Sequence, residues 1–172
     1  MSKKKDNFKI IEDHIWKLKE KAIKEFHLDE TSLDIDIYYN LNSIRVLGMF
    51  VVKDGVKSFR FNKKVIVAAG EKKYLDVVTH EFAHLVVYEK YFQAAPHGKE
   101  WQKVMQIFGA AETSYKTTSL SKYLKKAYSD KLKKIKCKCH KGKYTLGIVK
   151  ADNLLKRNAK CVKCGSKFKE VH

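Results

Sequence analysis

The chain has 172 residues, of which 44% are hydrophobic and 12% are aromatic, and its formal net charge is +18. This apolar content excludes a wholly disordered chain, and the length fits one ordinary domain or one domain with a small appendage. No apolar run approaches the roughly eighteen residues that span a bilayer, so we expect no membrane-spanning segment and no membrane partner.

Positive charge is concentrated in the last third of the chain. Residues 1–113 hold 19 Lys and Arg against 16 Asp and Glu, whereas residues 114–172 hold 18 against 3. A field this one-sided favours a polyanionic partner, nucleic acid first and an acidic membrane surface second, although a lysine-rich tail can also serve solubility alone. Lys far outnumbers Arg, which favours contacts to phosphates over the reading of base edges.

Residues 7–27 predict the first helix. Apolar residues recur there every three or four positions, at Phe8, Ile11, Ile15, Leu18, Ala22 and Phe26. The basic residues ahead of it lack an apolar core segment and a small-residue cleavage site, so the sequence predicts a cytoplasmic protein.

From about residue 33 to 69 the apolar period changes to two, which predicts a small antiparallel or mixed sheet of three or four strands. The strand-like runs are LDIDIYY, IRVLGMFVV, VKSFRF and KVIVAA. Asp54-Gly55 is a hairpin signal, and Gly48 inside a run indicates a bulge or a close approach. We also expect the last run, near 65–69, to offer an open edge that aligns a peptide.

Helical spacing returns over residues 72–92 and over about 98–109, and the only proline, Pro96, stands between the two helices. The first helix has a broad apolar face and is expected to be largely buried. The second has one apolar stripe, which includes Trp101. A linker and a short basic helix are expected over residues 114–134.

The sequence HEFAH, at residues 80–84, interrupts the apolar helix with polar side chains. His80 and His84 project from one helix face a turn apart and can bind one ion, with Glu81 beside them. A catalytic zinc ion needs three protein ligands and an open position. His97 can supply the third imidazole once the chain has reversed, and Glu100 is an alternative ligand. Glu81 could then accept a proton from the activated water and pass it to the leaving amine.

Two other interpretations of this motif stay open. The histidines could be satisfied by ordinary hydrogen bonds, or they could hold a zinc ion that has no catalytic role. Two imidazoles and a carboxylate on an apolar helix are costly to bury without partners, which favours a metal site.

All four cysteines lie in two close pairs, CKC at 137–139 and CVKCG at 161–165. In a reducing compartment such pairs indicate a metal site, and the expected ligands are Cys137, Cys139, Cys161 and Cys164 around a structural zinc ion. His140 is an alternative to Cys139. The 21 residues between the pairs could hold a hairpin. They contain little apolar material, so we expect this segment to need zinc to fold.

Basic residues crowd the cysteine segment and are its candidate nucleic-acid contacts. They are Lys136, Lys138, Lys141, Lys143, Lys156, Arg157, Lys160 and Lys163. Tyr144 and Phe168 could stack on unpaired bases, but a place in the small core of the segment is the favoured role of Phe168.

These motifs together resemble the SprT-like metalloproteases, which include bacterial SprT proteins and the eukaryotic protease Spartan. The resemblance rests on THEFAHLVV followed by APHGKEW, and on the order of an N-terminal helix, a small sheet, the motif helix and a basic segment with CxC and CxxCG pairs. It covers roughly residues 8–168. It implies an α+β fold with a zincin-like metalloprotease domain at 1–113, a basic linker or helix at 114–134 and a C-terminal zinc ribbon at 135–172.

The resemblance also implies a function. One catalytic zinc ion would be bound by His80, His84 and His97, a second zinc ion would be structural, and Glu81 would be the catalytic acid and base. The expected protein is a monomeric, DNA-associated zinc endopeptidase that acts on proteins on or near DNA, including proteins crosslinked to it. It would be nucleoid-associated in a bacterium and nuclear in a eukaryote. The alternative is a non-catalytic nucleic-acid-binding zinc protein whose HExxH site is structural or vestigial.

Overall fold

The computed structural model describes residues 8–92, 94–110, 120–139 and 144–171. The chain divides into two compact units, one ending at Leu124 and the other beginning at Lys125. Each unit contains a three-stranded sheet together with helices, as the predicted α+β class requires. Within the described ranges, no helix is both long enough and apolar enough to cross a membrane.

The first helix, α1 (Lys9–Phe26), has the predicted apolar stripe as its buried face. The buried residues are Ile11, Ile15, Leu18, Ala22 and Phe26. This face packs against the long third helix, so α1 forms one wall of the core of the first unit.

A mixed sheet follows, built from β1 (Asp36–Tyr38), β2 (Gly48–Lys53) and β3 (Val56–Phe61). A short 3-10 helix, Glu30–Leu33, precedes it. The strand order is β1-β3-β2, with β1 parallel to β3 and β2 antiparallel to it. The β2–β3 hairpin turns at Asp54 and Gly55, which both have positive φ, as the sequence predicts. Strand β2 therefore lies at one edge of the sheet.

The prediction of a fourth strand at KVIVAA is wrong, because Lys63–Ala69 forms helix α2. The fully buried side chain of Asn62 caps this helix by accepting a hydrogen bond from the N–H of Val65. Val65 and Ile66 are buried on the inner face of α2, while Val67 is 69% exposed. The cap and this one-sided burial outweigh the strand propensity of the β-branched run.

The expected peptide-aligning edge near 65–69 is wrong for the same reason. A helix satisfies its own backbone groups and offers no ladder to a peptide. The strand that lies at the edge of this sheet is β2.

Helices α3 (Glu71–Lys90) and α4 (Lys99–Ile107) complete the first unit and confirm the two helices expected there. The core is built around α3, which packs against α1, α2, β2 and α4. On its buried side it contributes large apolar residues such as Tyr74, Phe82 and Leu85.

The second unit is organised around β4. Helix α5 (Ser121–Ala127), which contains the boundary between the units, and a 3-10 turn at Ser129–Lys131 lead into β4 (Leu132–Lys136). Strands β5 (Tyr144–Gly147) and β6 (Lys169–Val171) pair with β4 on either side, both antiparallel.

Two of the sequence expectations for this unit are corrected. The basic helix expected within 114–134 ends at Ala127, and the rest of that segment forms the 3-10 turn at Ser129–Lys131 and the start of β4. The segment between the cysteine pairs contains β5 and helix α6 (Ile148–Lys156), whereas a hairpin was expected there. Among the described residues, β5 pairs with β4, which precedes the first cysteine pair.

Candidate metal centres and active site

Three imidazoles converge at one point on α3. His80 and His84 lie one turn apart, and the loop before α4 brings His97 to them. The Nε2 atom of His97 lies 3.0 Å from Nε2 of His80 and 3.1 Å from Nε2 of His84. The structure therefore brings together the three histidines that the sequence singled out.

The distances between these nitrogens match a shared metal ion. A tetrahedral ion with nitrogen ligands at about 2.0–2.1 Å separates the ligand atoms by about 3.3 Å. The Nε2 atom of His97 carries at most one hydrogen, so it cannot donate to both neighbours. A single cation between the three lone pairs satisfies all of them, and the group could thus hold a metal ion.

Burial keeps the two helix imidazoles neutral. Desolvation lowers the pKa of His80 to about 3 and the pKa of His84 to about 4, and repulsion from the neighbouring imidazoles adds to both shifts. Neutral imidazole is the form that binds a metal, so no proton has to be removed from these ligands near neutral pH.

His97 reaches the cluster through an unusual backbone conformation. Its φ is +58°, in the left-handed region that residues with a side chain rarely adopt. The side chain of Gln102 donates a hydrogen bond to its carbonyl oxygen at 3.3 Å. Glu100, the alternative third ligand, does not belong to the cluster, and its carboxylate lies beside Gly98. His97, and not Glu100, is therefore the residue that joins His80 and His84 in the cluster.

Trp101 contacts all three imidazoles. Its place in the apolar stripe of α4 predicts burial but not these contacts. Its fully buried ring lies 4.9 Å from the ring of His80, 5.9 Å from that of His84 and 4.7 Å from that of His97, centroid to centroid. The histidine–glycine–x–x–tryptophan spacing was visible in the sequence. What could not be read from it was that the loop folds all three rings onto this indole.

Glu81 is held against strand β2. Its Oε2 atom accepts a hydrogen bond from the N–H of Phe50 at 2.9 Å. The strand comes this close because position 48 is glycine: a Cβ there would lie 3.2 Å from Oε1 of Glu81 and 2.8 Å from Cγ1 of Val77. The close approach predicted at Gly48 is confirmed, and its partner is the carboxylate of the motif.

Burial also sets the proton affinity of this carboxylate. Desolvation raises the pKa of Glu81 to about 7, and the hydrogen bond from Phe50 opposes the rise. A carboxyl group with a pKa in this range can both accept and release a proton near neutral pH.

A cleft of about 570 Å³ opens over the cluster. His80, Glu81 and His84 form its floor, Gly48, Met49 and Phe50 of β2 form one side, and Tyr88 extends it along α3. A substrate in this cleft would lie against the edge strand with the imidazoles and the carboxylate beneath it.

The second unit gathers the four cysteines. The sulfur of Cys139 lies 3.6 Å from that of Cys137 and 3.7 Å from that of Cys161, and Cys164 completes the group. Four thiolates at about 2.3 Å from a tetrahedral ion are separated by about 3.8 Å, so this group also has the geometry of a metal site. Hydrogen bonds from Ser166 lower the pKa of Cys164 to about 6, which favours its thiolate, whereas hydrogen bonds with Cys164 and Cys137 raise the pKa of Cys139. His140, the alternative to Cys139, lies outside the described residues.

The candidate nucleic-acid contacts fall into two groups. Exposed residues at the end of α6 and around the second cysteine pair form one group, namely Lys156, Arg157, Lys160 and Lys163. Lys136 and Lys138 belong to the other, in a cleft of about 680 Å³ that they share with Lys167 and Lys169. Lys141 and Lys143 lie outside the described residues. The ring of Phe168 packs edge-on against Tyr144, as expected of a small core.

Comparison with known proteins identifies the family of the chain. The profile of the SprT-like family matches residues 15–122, which include all three histidines and end before the cysteines. Protein SprT of Vibrio parahaemolyticus is 34% identical over 93 residues, 52% of each chain. Protein SprT of Actinobacillus succinogenes is 33% identical over 81 residues, 47% of this chain and 46% of the relative.

Protein SprT of Yersinia pestis is 28% identical over 111 residues, 62% of this chain and 61% of the relative. The chain thus spans about half to three-fifths of the length of these curated relatives. Because the family profile matches more than half of it, the chain belongs to the SprT-like family.

Proposed function

We propose that this protein is a DNA-associated, zinc-dependent endopeptidase that cuts proteins on or near DNA. The observation that carries the proposal is the convergence of three imidazoles beside a buried carboxylate in an open cleft. Proteins crosslinked to DNA are included among its substrates by the family resemblance.

The donor sets support zinc at both centres. Imidazole nitrogen and thiolate sulfur are the ligands that zinc takes in proteins, usually in tetrahedral geometry. Three histidines leave one position for a reacting molecule, whereas four cysteines close the site, so the first centre is the catalytic one and the second is structural. A zinc ion bound by the three histidines would supply a Lewis acid and would lower the pKa of water to about 7.

Glu81 moves the protons in the proposed reaction. Its carboxylate lies in the cleft, fixed by the N–H of Phe50, and takes the proton of the attacking water. The same carboxyl group then gives that proton to the departing amine of the cut peptide bond. Its raised pKa suits both steps near neutral pH.

Strand β2 aligns the substrate in this account. The N–H of Phe50 points away from β3, toward Glu81, so the alternation of an antiparallel ladder places the backbone groups of Val52 on the same outer edge of β2. An extended peptide can add to this edge and cross the imidazoles in a fixed register. Such backbone recognition suits cleavage within a chain better than trimming of its ends.

The second unit supports the association with DNA. Residues 125–172 hold 16 Lys and Arg against 3 Asp and Glu. Two of these acids, Asp152 and Glu170, are paired with Lys133. Lys136, Lys138, Lys167 and Lys169 line the cleft of about 680 Å³, and their contacts to phosphates would release counterions from the nucleic acid.

Replacement of Glu81 tests the proposal. Glu81→Gln should abolish cleavage of an unfolded protein, while zinc content and affinity for DNA stay at wild-type values. DNA should stimulate cleavage by the wild-type protein when the substrate also binds DNA. Wild-type protein that carries zinc, binds DNA and yet never cleaves would favour the non-catalytic alternative.

A further inference from the structure

The cleft over the imidazoles is lined by apolar and aromatic side chains, in a protein that is one-third charged. Among the described lining residues, Glu81 is the only Asp, Glu, Lys or Arg. Tyr88 is 48% exposed and Met49 is 37% exposed, although both are large and apolar enough to belong in a core. Exposed apolar surface beside a candidate reaction centre indicates a surface that another molecule covers.

Tyr88 lies on the same face of α3 as the two histidines of the motif. It follows His84 by four residues, as His84 follows His80, so the three side chains lie along one helix face about 6 Å apart. Side chains on one face of an extended peptide repeat every 6.6 Å or so. A substrate residue close to the cut bond therefore has its side chain within reach of Tyr88.

The aromatic ring of Tyr88 is fixed by the strand that borders the cleft. It meets the ring of Phe50 edge-on, with the centroids 5.7 Å apart, and Phe50 in turn contacts Phe59 of the sheet. The side chain of Met49 lines the same cleft. The cleft thus presents a fixed ring and a flexible thioether, a combination that accepts large uncharged side chains of varied shape.

We propose that this cleft selects an extended segment with a bulky uncharged side chain, aromatic or long aliphatic, at a position flanking the cut bond. The inference deepens the proposed peptidase function and names its substrate class. An acidic substrate side chain would lose water in this cleft and face Glu81, and a basic one would meet no carboxylate but Glu81 among the described lining residues. Large apolar side chains are buried in folded proteins, so the expected substrates are unfolded or locally opened chains.

Cleavage-site mapping tests the selection. A disordered, carboxymethylated protein is digested with the zinc-loaded wild-type enzyme, and the cut sites are identified by mass spectrometry. Phe, Tyr, Leu and Met should be enriched at one fixed position beside the cut bond. Peptides that carry Ala or Asp at that position should be cut about tenfold more slowly or worse.

Substitutions of the lining residues test whether the cleft causes this preference in the cleavage sites. Tyr88→Ala and Met49→Ala should each weaken the enrichment, while Tyr88→Phe, which keeps the ring, should retain most of it. Trp16→Ala is the matched control, because it removes an aromatic ring that is 60% exposed on α1 and does not line the cleft. Cutting without enrichment, or enrichment that Tyr88→Ala and Met49→Ala leave intact, overturns the inference.

A binding measurement separates this inference from the proposed function. Glu81→Gln should bind a fluorescent peptide with a central Phe several-fold more tightly than the same peptide with Asp, whether or not the wild-type protein cuts either. If the wild type cuts nothing but this preference is present, the peptidase proposal fails and the selective cleft stands. Equal binding of the two peptides overturns the inference that the cleft is selective, even if the wild-type protein is an active peptidase.

Discussion

Replacement of Gly48 by alanine should uncouple the acid–base residue from its supporting strand. The added Cβ would lie 2.8 Å from Cγ1 of Val77 and 3.0 Å from Cγ of Glu81. Carbon atoms in contact prefer about 3.5 Å or more, so β2 and α3 must separate by roughly 0.7 Å. The hydrogen bond from Phe50 to Glu81 is 2.9 Å long. A displacement of that size along it gives about 3.6 Å, beyond the range of an N–H···O bond.

Two losses should follow from this displacement. Overpacking a core contact costs about 1–3 kcal/mol of unfolding free energy. The carboxylate also moves relative to the imidazoles, and a misplacement of about 1 Å in a catalytic site can lower the rate a hundredfold. We therefore expect Gly48→Ala to fold with reduced stability, to keep its zinc and to lose about a hundredfold in kcat/KM, mainly through kcat.

The assay compares urea unfolding, zinc content and cleavage of a quenched peptide. Gly55→Ala is the control, because Gly55 lies in the turn of the same hairpin, has φ +77° and has open space around an added Cβ. Its left-handed backbone should cost about 1–2 kcal/mol without touching Glu81. Equal activity losses in the two variants at matched stability, or full activity in Gly48→Ala, would refute the coupling of the strand to the carboxylate.

Three further predictions concern the support of the metal centres and the basic cleft. Trp101→Ala should cost about 3–5 kcal/mol of stability and lower the chelator concentration that strips the histidine site, with Trp101→Phe in between, as measured by unfolding and chelator titration. Equal chelator resistance in all three proteins would contradict this role of the indole. Cys161→Ser should lose one zinc per chain and the DNA affinity while DNA-independent peptide cleavage continues, and loss of all cleavage would mean that the two units do not act separately. Lys169→Ala should reduce the slope of log affinity for duplex DNA against log salt by about 0.9 for one lost phosphate contact. Lys133→Ala, whose ammonium group already pairs with two carboxylates, should change that slope less.

The sequence predicts well the elements whose residue pattern has a local cause, such as burial of one helix face or the backbone conformation of a turn. The apolar stripe of α1 and the hairpin signal at Asp54-Gly55 each have a local physical cause, and both are present in the structure. The histidine cluster was also predictable, since helical spacing fixes His80 and His84 and the break at Pro96 allows the chain to return.

The wrong predictions concern segments whose secondary structure or contacts depend on residues far away in the sequence. The run KVIVAA, residues 64–69, was expected to form a strand, but the segment is a helix capped by Asn62, whose side-chain amide donates to the distant carbonyl oxygens of Ser43 and Val46. The first three residues of β4 were expected to end a basic helix, because their lysines hide the strand pattern, and the buried residue of the strand, Ile135, lies beyond that segment. The contacts of Trp101 with the imidazoles and of Phe50 with Glu81 join residues 4 to 31 positions apart, and no local pattern reports which of them will meet.

Metal content tests the central claim most directly. Purified wild-type protein should contain two zinc ions per chain by elemental analysis. His80→Ala and His97→Ala should each contain one, and so should Cys161→Ser, with peptide cleavage lost only in the two histidine variants. Zinc content that stays at two in His97→Ala, with cleavage intact, would contradict a reaction centre built from these three imidazoles.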